Sequence, residues 1–477
     1  MTQASASDAA LVVDLDGTLV HTDLLIESAF VLARERPRSL LKMPAWLCAG
    51  KATLKHEIAS RAALDVGRLP YNRAFIAYLE TEHAAGRRIV LATAADRRYA
   101  EAVAAHLSLF EAVLASDETT NLSGERKLAA IRAYLGDDTP FEYAADHSDD
   151  RVIWASAQGT LLVGADNGTR DWAERNVHVT ESFDRPHRGI ATWLRAMRLY
   201  QWAKNILIFV PLMATHSLVG IDTLAAACMA FLAYGLLASS VYLLNDLVDL
   251  SDDRQHPNKR FRPLASGALP LLHGIIAIPV LMATAALIAL FLPPLFGAVL
   301  GMYYVLTLAY SMVLKRVALI DVVTLAALYT LRLIAGGVAT GIHLSFWLLA
   351  LSMSMFLSLA MAKRCTELLL VRSGHTASLG RGYREADIET LKTLGTAAGY
   401  AAVVILALYI NSPDITEQYD HPARVWLLCP VVLYWISRIW LMTMRGRMTD
   451  DPIVFAARDR ASQICILLGG LIMIAAL

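Results

Sequence analysis

Two carboxylate clusters dominate the chemistry open to this chain. In "DLDGTL", Asp14 and Asp16 stand two residues apart at the end of an apolar run. In "LLNDLVDLSDDRQHPNKRFRP", Leu243 to Pro263, four carboxylates and then four basic residues follow a much longer apolar run. Carboxylates this close repel one another unless a cation bridges them. Mg²⁺ prefers a few carboxylates together with substrate phosphates. If a helix continues through the second stretch, about 100° per residue puts Asn245, Asp246, Asp249, Asp252 and Asp253 within an arc of roughly 120°. A diphosphate is the natural guest there, with Lys259, Arg260 and Arg262 to bind its remaining charge. The bland alternative is a solvated helix end with ordinary surface charges.

The elements that must position these clusters differ between the two halves. The chain has 477 residues, 56% hydrophobic and 18% charged, with a mean hydropathy of +0.45. That is too apolar and too long for one ordinary soluble domain. Residues 1 to about 190 read as soluble and the remainder as membrane. The zero net charge averages the two halves, and the basic residues lie in loops beside apolar segments, so nucleic acid is not an expected partner. Five scattered cysteines, with no CxxC, read as buried apolar side chains rather than as disulfides or a zinc site. The N-terminus lacks a basic, apolar and cleavable leader, so the first half is expected to stay in the cytoplasm.

In the soluble half, short apolar runs ("ALVVDLD", "RRIVLAT", "AVLAS", "FEYAAD", "GTLLVGA") alternate with helix-like segments. The pattern predicts an α/β fold with a parallel sheet, whose ligands bind at the carboxyl ends of the strands. Asp14, Asp16, Thr93 and Asp146 fall at those ends. Here the chain resembles the haloacid dehalogenase (HAD) superfamily, over residues 9 to 165. Asp14 and Asp16 match its first motif, Thr93 of "VLATAAD" the second, Lys127 of "GERKLAA" the third, and Asp146 and Asp150 of "AADHSDD" the fourth. Ala145 departs from the glycine often found there. The resemblance implies a phosphatase-like domain at 1–185, with a helical cap at about 20–85.

The side chains support that chemistry. Asp14 is the expected nucleophile, forming an aspartyl-phosphate. Asp16 protonates the leaving oxygen and then activates water. Asp14, Asp16, Asp146 and Asp150 supply the oxygen set for Mg²⁺. Lys127 and Thr93 neutralise and hydrogen-bond the phosphoryl oxygens. Within the cap, "RERPRSLLKMPAWLCAGKATLK" is basic with an apolar centre. It reads either as an ordinary pair of cap helices or as an interfacial segment resting on anionic lipid. Residues 166–190 are polar and read as a tether.

From about residue 203 apolar stretches recur. Nine spans are expected, near 203–219, 222–247, 273–292, 293–314, 318–341, 345–362, 391–411, 424–444 and 461–477. The loops after the second, fourth, sixth and eighth are rich in Lys and Arg, which places them in the cytoplasm and the C-terminus outside. The expected location is a bacterial inner membrane. Other polar residues interrupt the apolar half: Lys204 and Asn205 of "QWAKN", Lys315 and Asp321 of "YSMVLKRVALID", Arg332, and Lys363 and Arg364. Asp321 and Arg332 also suit an intramembrane ion pair, and Lys363 and Arg364 suit plain positive-inside topology.

With "NDLVDLSDD" in view, residues 186–477 resemble the UbiA superfamily of intramembrane prenyltransferases, whose fold has nine helices. Asn245, Asp246 and Asp249 match its first Asp-rich motif, and Asp253 continues it. The second motif departs, because Asp321 is followed four residues later by Leu325 and not by an acid. Together "QWAKN", the Asp-rich stretch, "DVVTLAALYTLRLIAGG", "KRCTEL" and "DDPIVFAARD" are similar to the branch of polyprenyl-phosphate phosphoribosyltransferases. That resemblance implies Mg²⁺ in both domains, 5-phosphoribosyl 1-diphosphate as donor and a polyprenyl phosphate in the bilayer as acceptor. Lys204, Asn205, Lys315, Asp321, Arg332, Lys363 and Arg364 would then serve substrate binding. The HAD part would remove the 5-phosphate from the product. Two alternatives stay open: an aromatic prenyltransferase beside an unrelated phosphatase, and a lipid-binding or transport protein with a vestigial HAD domain. A homo-oligomer is compatible with the sequence.

Overall fold

A computed structural model describes residues 9–184, 189–214, 220–373, 382–412, 419, 421–448 and 452–476. By packing, the chain divides into two compact units. The first joins Met1–Met197 to Tyr242–Ile278, and the second joins Arg198–Val241 to Pro279–Leu477.

The first unit is built on six parallel strands. In chain order its elements are β1 (Ala10–Val13), α1 (Leu24–Glu35), α2 (Met43–Ala49), α3 (Lys51–Ala59), α4 (Arg73–Ala84), β2 (Ile89–Asp96), α5 (Arg97–Leu107), β3 (Ala112–Ser116), α6 (Glu125–Leu135), β4 (Phe141–Ala145), α7 (Arg151–Ser156), β5 (Gly159–Val163), α8 (Asn167–Asn176), β6 (Val179–Phe183) and α9 (Ile190–Ala196). The sheet order is β3-β2-β1-β4-β5-β6, and every pairing is parallel. Central strands are buried on both faces, as helix-covered parallel sheets require. Leu11 and Val13 of β1 join one core cluster and Val12 the other. Helices α1–α4 form the insertion between β1 and β2, in the expected place for a cap.

The polar segment read as a tether is largely folded. It supplies α8 and the edge strand β6. Its polarity reflects an edge position: the middle of β6 is exposed, while Phe183 packs against Phe75 and Tyr78. An edge strand needs few apolar side chains to hold its place.

The polypeptide enters the second unit through a 3₁₀ stretch, Leu199–Phe209, then α10 (Val210–Ala214) and α11 (Ile221–Val248). From Tyr242 onward α11 belongs to the first unit, as do α12 (Leu250–Gln255) and the start of α13 (Leu271–Ala289). The second unit continues with α14 (Pro294–Met312), α15 (Ile320–Thr340) and α16 (Phe346–Arg372), and then helices Ile388–Ile410, Leu428–Met444 and Arg460–Ala476. Residues of α15, α16 and Leu428–Met444, among them Val322, Phe356, Cys365 and Trp440, share one apolar core.

Among the described residues, seven helices are long and apolar enough to cross a membrane, where nine were expected. Of the expected span at 203–219, residues 203–209 belong to the 3₁₀ stretch, which carries polar Lys204 and Asn205, and 210–214 form α10; Pro211 sits in the first turn of α10, where its missing N–H costs nothing. Residues 215–219 lie outside the described residues. The last expected span is the helix Arg460–Ala476, apolar but only 17 residues long. The 3₁₀ stretch lies close against α15: a Cβ on Gly336 would meet the Ile208 carbonyl oxygen at 2.1 Å.

Candidate active sites

The strand ends of β1 and β4 bring the N-terminal acids together. Asp14, Asp16, Asp146, Asp149 and Asp150 line one cavity of about 500 Å³, with Lys127 and Lys55. Asp14 is fixed by its backbone N–H, which donates to Ala144 O at 2.9 Å across β1 and β4. Lys127 on α6 reaches back between the strands. Its Nζ lies 3.2 Å from Asp14 Oδ1 and 3.1 Å from Asp150 Oδ1. Tyr143 completes this buried group, donating to Asp150 at 3.0 Å and accepting from Lys127 at 2.9 Å. Asp16 Oδ1 accepts from the Leu24 N–H at 2.9 Å, at the first turn of α1.

The electrostatics separate the roles open to these groups. Burial, with Asp150 and Asp146 nearby, lifts the Asp14 carboxyl to about 7 despite Lys127. Burial and the neighbouring Asp23 raise Asp16 well above the ordinary carboxylate range, which suits a group that must deliver a proton. Burial opposes the Lys127 ammonium, but Asp14 and Asp150 outweigh it and hold it charged. Asp14 Oδ1 is buried and accepts no well-aligned hydrogen bond. An added cation facing that oxygen would satisfy it and draw the Asp14 pKa down, so the residues fit a divalent ion. Among the described residues no three Asp, Glu, His or Cys side chains converge into a complete metal set. Mg²⁺ does not need one, since it keeps several waters and takes phosphate oxygens.

Thr93 is fully buried within β2, short of the strand end where it was expected, at a point where the pairing with β3 shifts register, and its hydroxyl accepts from the Ala95 N–H at 3.0 Å. Ala145 sits in extended strand at the end of β4, so no glycine is needed there. Lys55 is a site residue the sequence reading missed. It projects from α3 into the cavity and donates to Ala94 O at 2.5 Å and to Asn121 Oδ1 at 2.9 Å. Burial depresses its pKa, against the pull of Asp16, Asp23 and Asp14. Composition could not single it out, because α3 also carries Lys51, His56 and Glu57.

At the Asp-rich stretch the expected continuous helix breaks once. α11 ends at Val248, Asp249 stands at the N-cap position of α12 without a side-chain cap, and the Asp253 N–H donates to Asp249 O at 2.8 Å. The break preserves the face shared by Asp246 and Asp253, both buried. Arg262 Nη1 bridges them, at 3.1 Å from Asp246 Oδ1 and 2.5 Å from Asp253 Oδ2. Two buried carboxylates arranged around one positive group, with the Asn245 amide beside them in sequence, are a donor set that fits a hard cation. Burial raises Asp253, and Arg262 opposes that shift. Asp252, expected on the same arc, is exposed. Lys259 and Arg260 are exposed in the following turn, with Arg260 against the Phe261 ring.

The second unit holds two further polar groups. Asp321 is fully buried and pairs with Arg364 of α16, while Tyr310 donates to it at 2.8 Å. Arg364 also pairs with Glu367. The alternative partner for Asp321, Arg332, goes elsewhere. It donates to Asn205 Oδ1 at 2.9 Å and Leu328 O at 2.5 Å, and its guanidinium lies within 6 Å of the rings of Tyr234, Tyr303 and Tyr329. The reason is reach along the helix. Eleven residues separate Asp321 from Arg332 on one helix, about 16 Å of rise, whereas α16 passes beside Asp321. Lys204 faces the Tyr329 ring at 5.9 Å. Lys315 lies in the turn Leu314–Arg316 and Lys363 on α16, both half-buried.

Comparison with known proteins matches two stretches of the chain to two families. Residues 206–457 match the UbiA prenyltransferase family and residues 11–151 the haloacid dehalogenase-like hydrolases. The chain belongs to the UbiA prenyltransferase family. It carries a HAD hydrolase domain in the same polypeptide, and both domains are those of enzymes. The uncharacterized protein y4nM of Sinorhizobium fredii is 37% identical over 458 residues, 95% of this chain and 88% of that protein. Nodulation protein NoeC of Azorhizobium caulinodans is 37% identical over 58% of this chain and 90% of its own. Decaprenyl-phosphate phosphoribosyltransferase of Mycobacterium tuberculosis is 32% identical over 59% of this chain and 93% of its own. As a UbiA-family chain with seven long apolar helices among the described residues, the protein is an integral membrane protein.

Proposed function

We propose that the chain catalyses two consecutive steps, transfer of 5-phosphoribose from 5-phosphoribosyl 1-diphosphate to a polyprenyl phosphate and then removal of the 5-phosphate. The observation that carries this reading is the state of Asp321. The acid four residues on is missing, and Asp321 itself is buried against Arg364. A second acidic pair for a prenyl diphosphate is therefore lacking, which favours the lipid as acceptor and the sugar diphosphate as the group held at the Asp-rich face. The likeness to decaprenyl-phosphate phosphoribosyltransferase supports the same choice.

Mg²⁺, held by Asn245, Asp246, Asp249 and Asp253 in one site and by Asp14, Asp16, Asp146 and Asp150 in the other, would neutralise phosphate oxygens in both. Arg262 yields its place between Asp246 and Asp253 and turns to the diphosphate, with Lys259 and Arg260. A lipid phosphate oxygen attacks C1 of the ribose, the C1–O bond to diphosphate breaks, and the anomeric carbon inverts. Lys204, Asn205, Lys315, Arg332 and Lys363 supply charge and hydrogen bonds for the lipid phosphate and the 5-phosphate, while Arg364 keeps Asp321 neutralised. In the HAD site, Asp14 attacks phosphorus and Asp16 gives a proton to the departing ribose oxygen. Water activated by Asp16 then cleaves the aspartyl-phosphate, leaving polyprenyl-phosphoryl ribose and inorganic phosphate. Lys127 holds Asp14 and Asp150 in register, and Thr93 shapes the phosphoryl end of the site. The basic loops favour a cytoplasmic location for both sites.

The test is mass spectrometry of lipids made by the purified full-length protein from labelled donor and polyprenyl phosphate. Asp246→Asn abolishes labelled lipid, and Asp14→Asn accumulates the 5-phosphorylated form. Undiminished transfer by Asp246→Asn sinks the reading, as does a prenylated aromatic product from prenyl diphosphate and an aromatic acceptor.

A further inference from the structure

The wall of the HAD cavity is unusual for a site that meets small soluble esters. Pro270, Leu271, Leu272 and His273 line it beside Asp14 and Asp16. Leu271, Leu272 and His273 begin α13, a helix long and apolar enough to span a membrane, and Pro270 directly precedes it. Next to the cavity lies a second one of about 350 Å³, lined by Leu25, Ile26, Ala29, Phe30, Met43 and Ile275 among other apolar residues, with no polar surface. The two share Ile26. Ile275 is one turn beyond Leu271 on the same α13. The two cavities adjoin at Ile26, so an apolar groove lined by α1 and, through Ile275, by α13 lies beside the carboxylates.

The cap segment adds a second, independent observation. Leu41 is 85% and Leu47 54% exposed on the stretch Pro37–Ala49. Arg36, Arg38 and Lys42 stand exposed among them. Apolar side chains interleaved with cations fit the surface of an anionic membrane.

We infer that this groove holds the hydrocarbon chain of a lipid whose phosphate ester is hydrolysed at Asp14, so that the HAD site works on substrates still anchored in the membrane. The inference rests on the reading that the ester belongs to a lipid-linked ribose, but it concerns the chain and not the sugar. The lipid chain lies along α1 and leaves past Ile275, the ester enters the cavity, and the cap segment rests on the headgroups. Water enters from the solvent side and phosphate leaves there.

The experiment uses full-length protein in anionic lipid nanodiscs and compares phosphate release from methyl riboside 5-phosphate and from a long-chain alkyl riboside 5-phosphate. The expected kcat/KM ratio of long to methyl is at least ~10, the effect of burying only a few methylenes. Ala29→Trp and Ala33→Trp, which fill the groove, bring that ratio toward one, and using a ratio corrects for any loss of folded enzyme. A ratio near one in the wild type, or an unchanged ratio in both variants, overturns the groove assignment. Alkyl phosphates without ribose separate the two ideas. Chain preference on these, with no hydrolysis of the ribosides, keeps the groove and rejects the ribose substrate.

Discussion

Glu27 and Arg254 tie the HAD cap to the segment that follows the Asp-rich helix, and deleting either partner tests whether the two sites depend on each other. Both side chains are nearly buried, 6% and 8% exposed. The guanidinium donates to both carboxylate oxygens, at 2.5 and 3.1 Å, and its Nε to Ala265 O at 3.1 Å. Glu27 also accepts from the Thr22 hydroxyl at 2.8 Å. Glu27→Ala strands a buried guanidinium, at a cost of about 3–5 kcal/mol. Arg254→Ala costs less, about 1–3 kcal/mol, because the Thr22 hydroxyl still serves Glu27. Replacing both by Met removes the charges together, and such swaps are often nearly neutral. The double variant is therefore more stable than Glu27→Met alone, with a coupling energy above ~1.5 kcal/mol. Chemical unfolding of the detergent-solubilised protein gives the cycle, and phosphate release and lipid labelling are read on the same samples. Both activities fall in each single variant, because Thr22 borders the HAD cavity and Arg254 follows Asp253. Additive single effects, or loss of phosphate release with lipid labelling intact, would refute the argument.

Two other substitutions probe the same unit. Gly267 has φ +74°, and a Cβ there would come within 2.4 Å of His21 Cβ and 2.6 Å of its carbonyl oxygen; Gly267→Ala should cost about 2–5 kcal/mol from backbone conformation and crowding together, measured as a lowered unfolding midpoint against a Gly297→Ala control. Lys55→Met keeps the cavity shape but removes its second ammonium; phosphate release should drop ~10²-fold in kcat/KM, the scale of losing one preorganised charge at a reacting phosphoryl group, and a drop under ~3-fold would place Lys55 outside the chemistry.

Where local periodicity governs, the sequence was legible. Five apolar runs became five strands, in the order that puts Asp14 and Asp146 side by side. A two-turn spacing put Asp246 and Asp253 on one face despite the break at Asp249. The sixth strand was hidden because an edge strand is polar by composition. The first expected span is not among the seven long apolar helices of the described residues, because residues 203–209 follow a 3₁₀ path that hydropathy cannot register and residues 215–219 lie outside those described.

The partners of the buried charges were legible only in part, for a physical reason. A carboxylate's own position follows from helix or strand period, but the identity of the cation that neutralises it follows from chain closure. Glu27 and Arg254 lie 227 residues apart, and no periodic signal links them. Asp321 had two arginines within plausible sequence reach, Arg332 on its own helix and Arg364 on the next. Helix rise decides for Arg364, since a same-helix pair meets only at three or four residues. That choice frees Arg332 for Asn205 and the tyrosine rings, and it removes Asp321 from the set of open carboxylates. The Asp-rich face, by contrast, is an acidic cluster that an Arg, Arg262, bridges from a half-exposed loop position. A bridging cation at the rim can be exchanged for a metal-bound diphosphate, whereas one sealed between helices, as at Asp321, cannot be exchanged without stranding a charge at a cost of several kcal/mol.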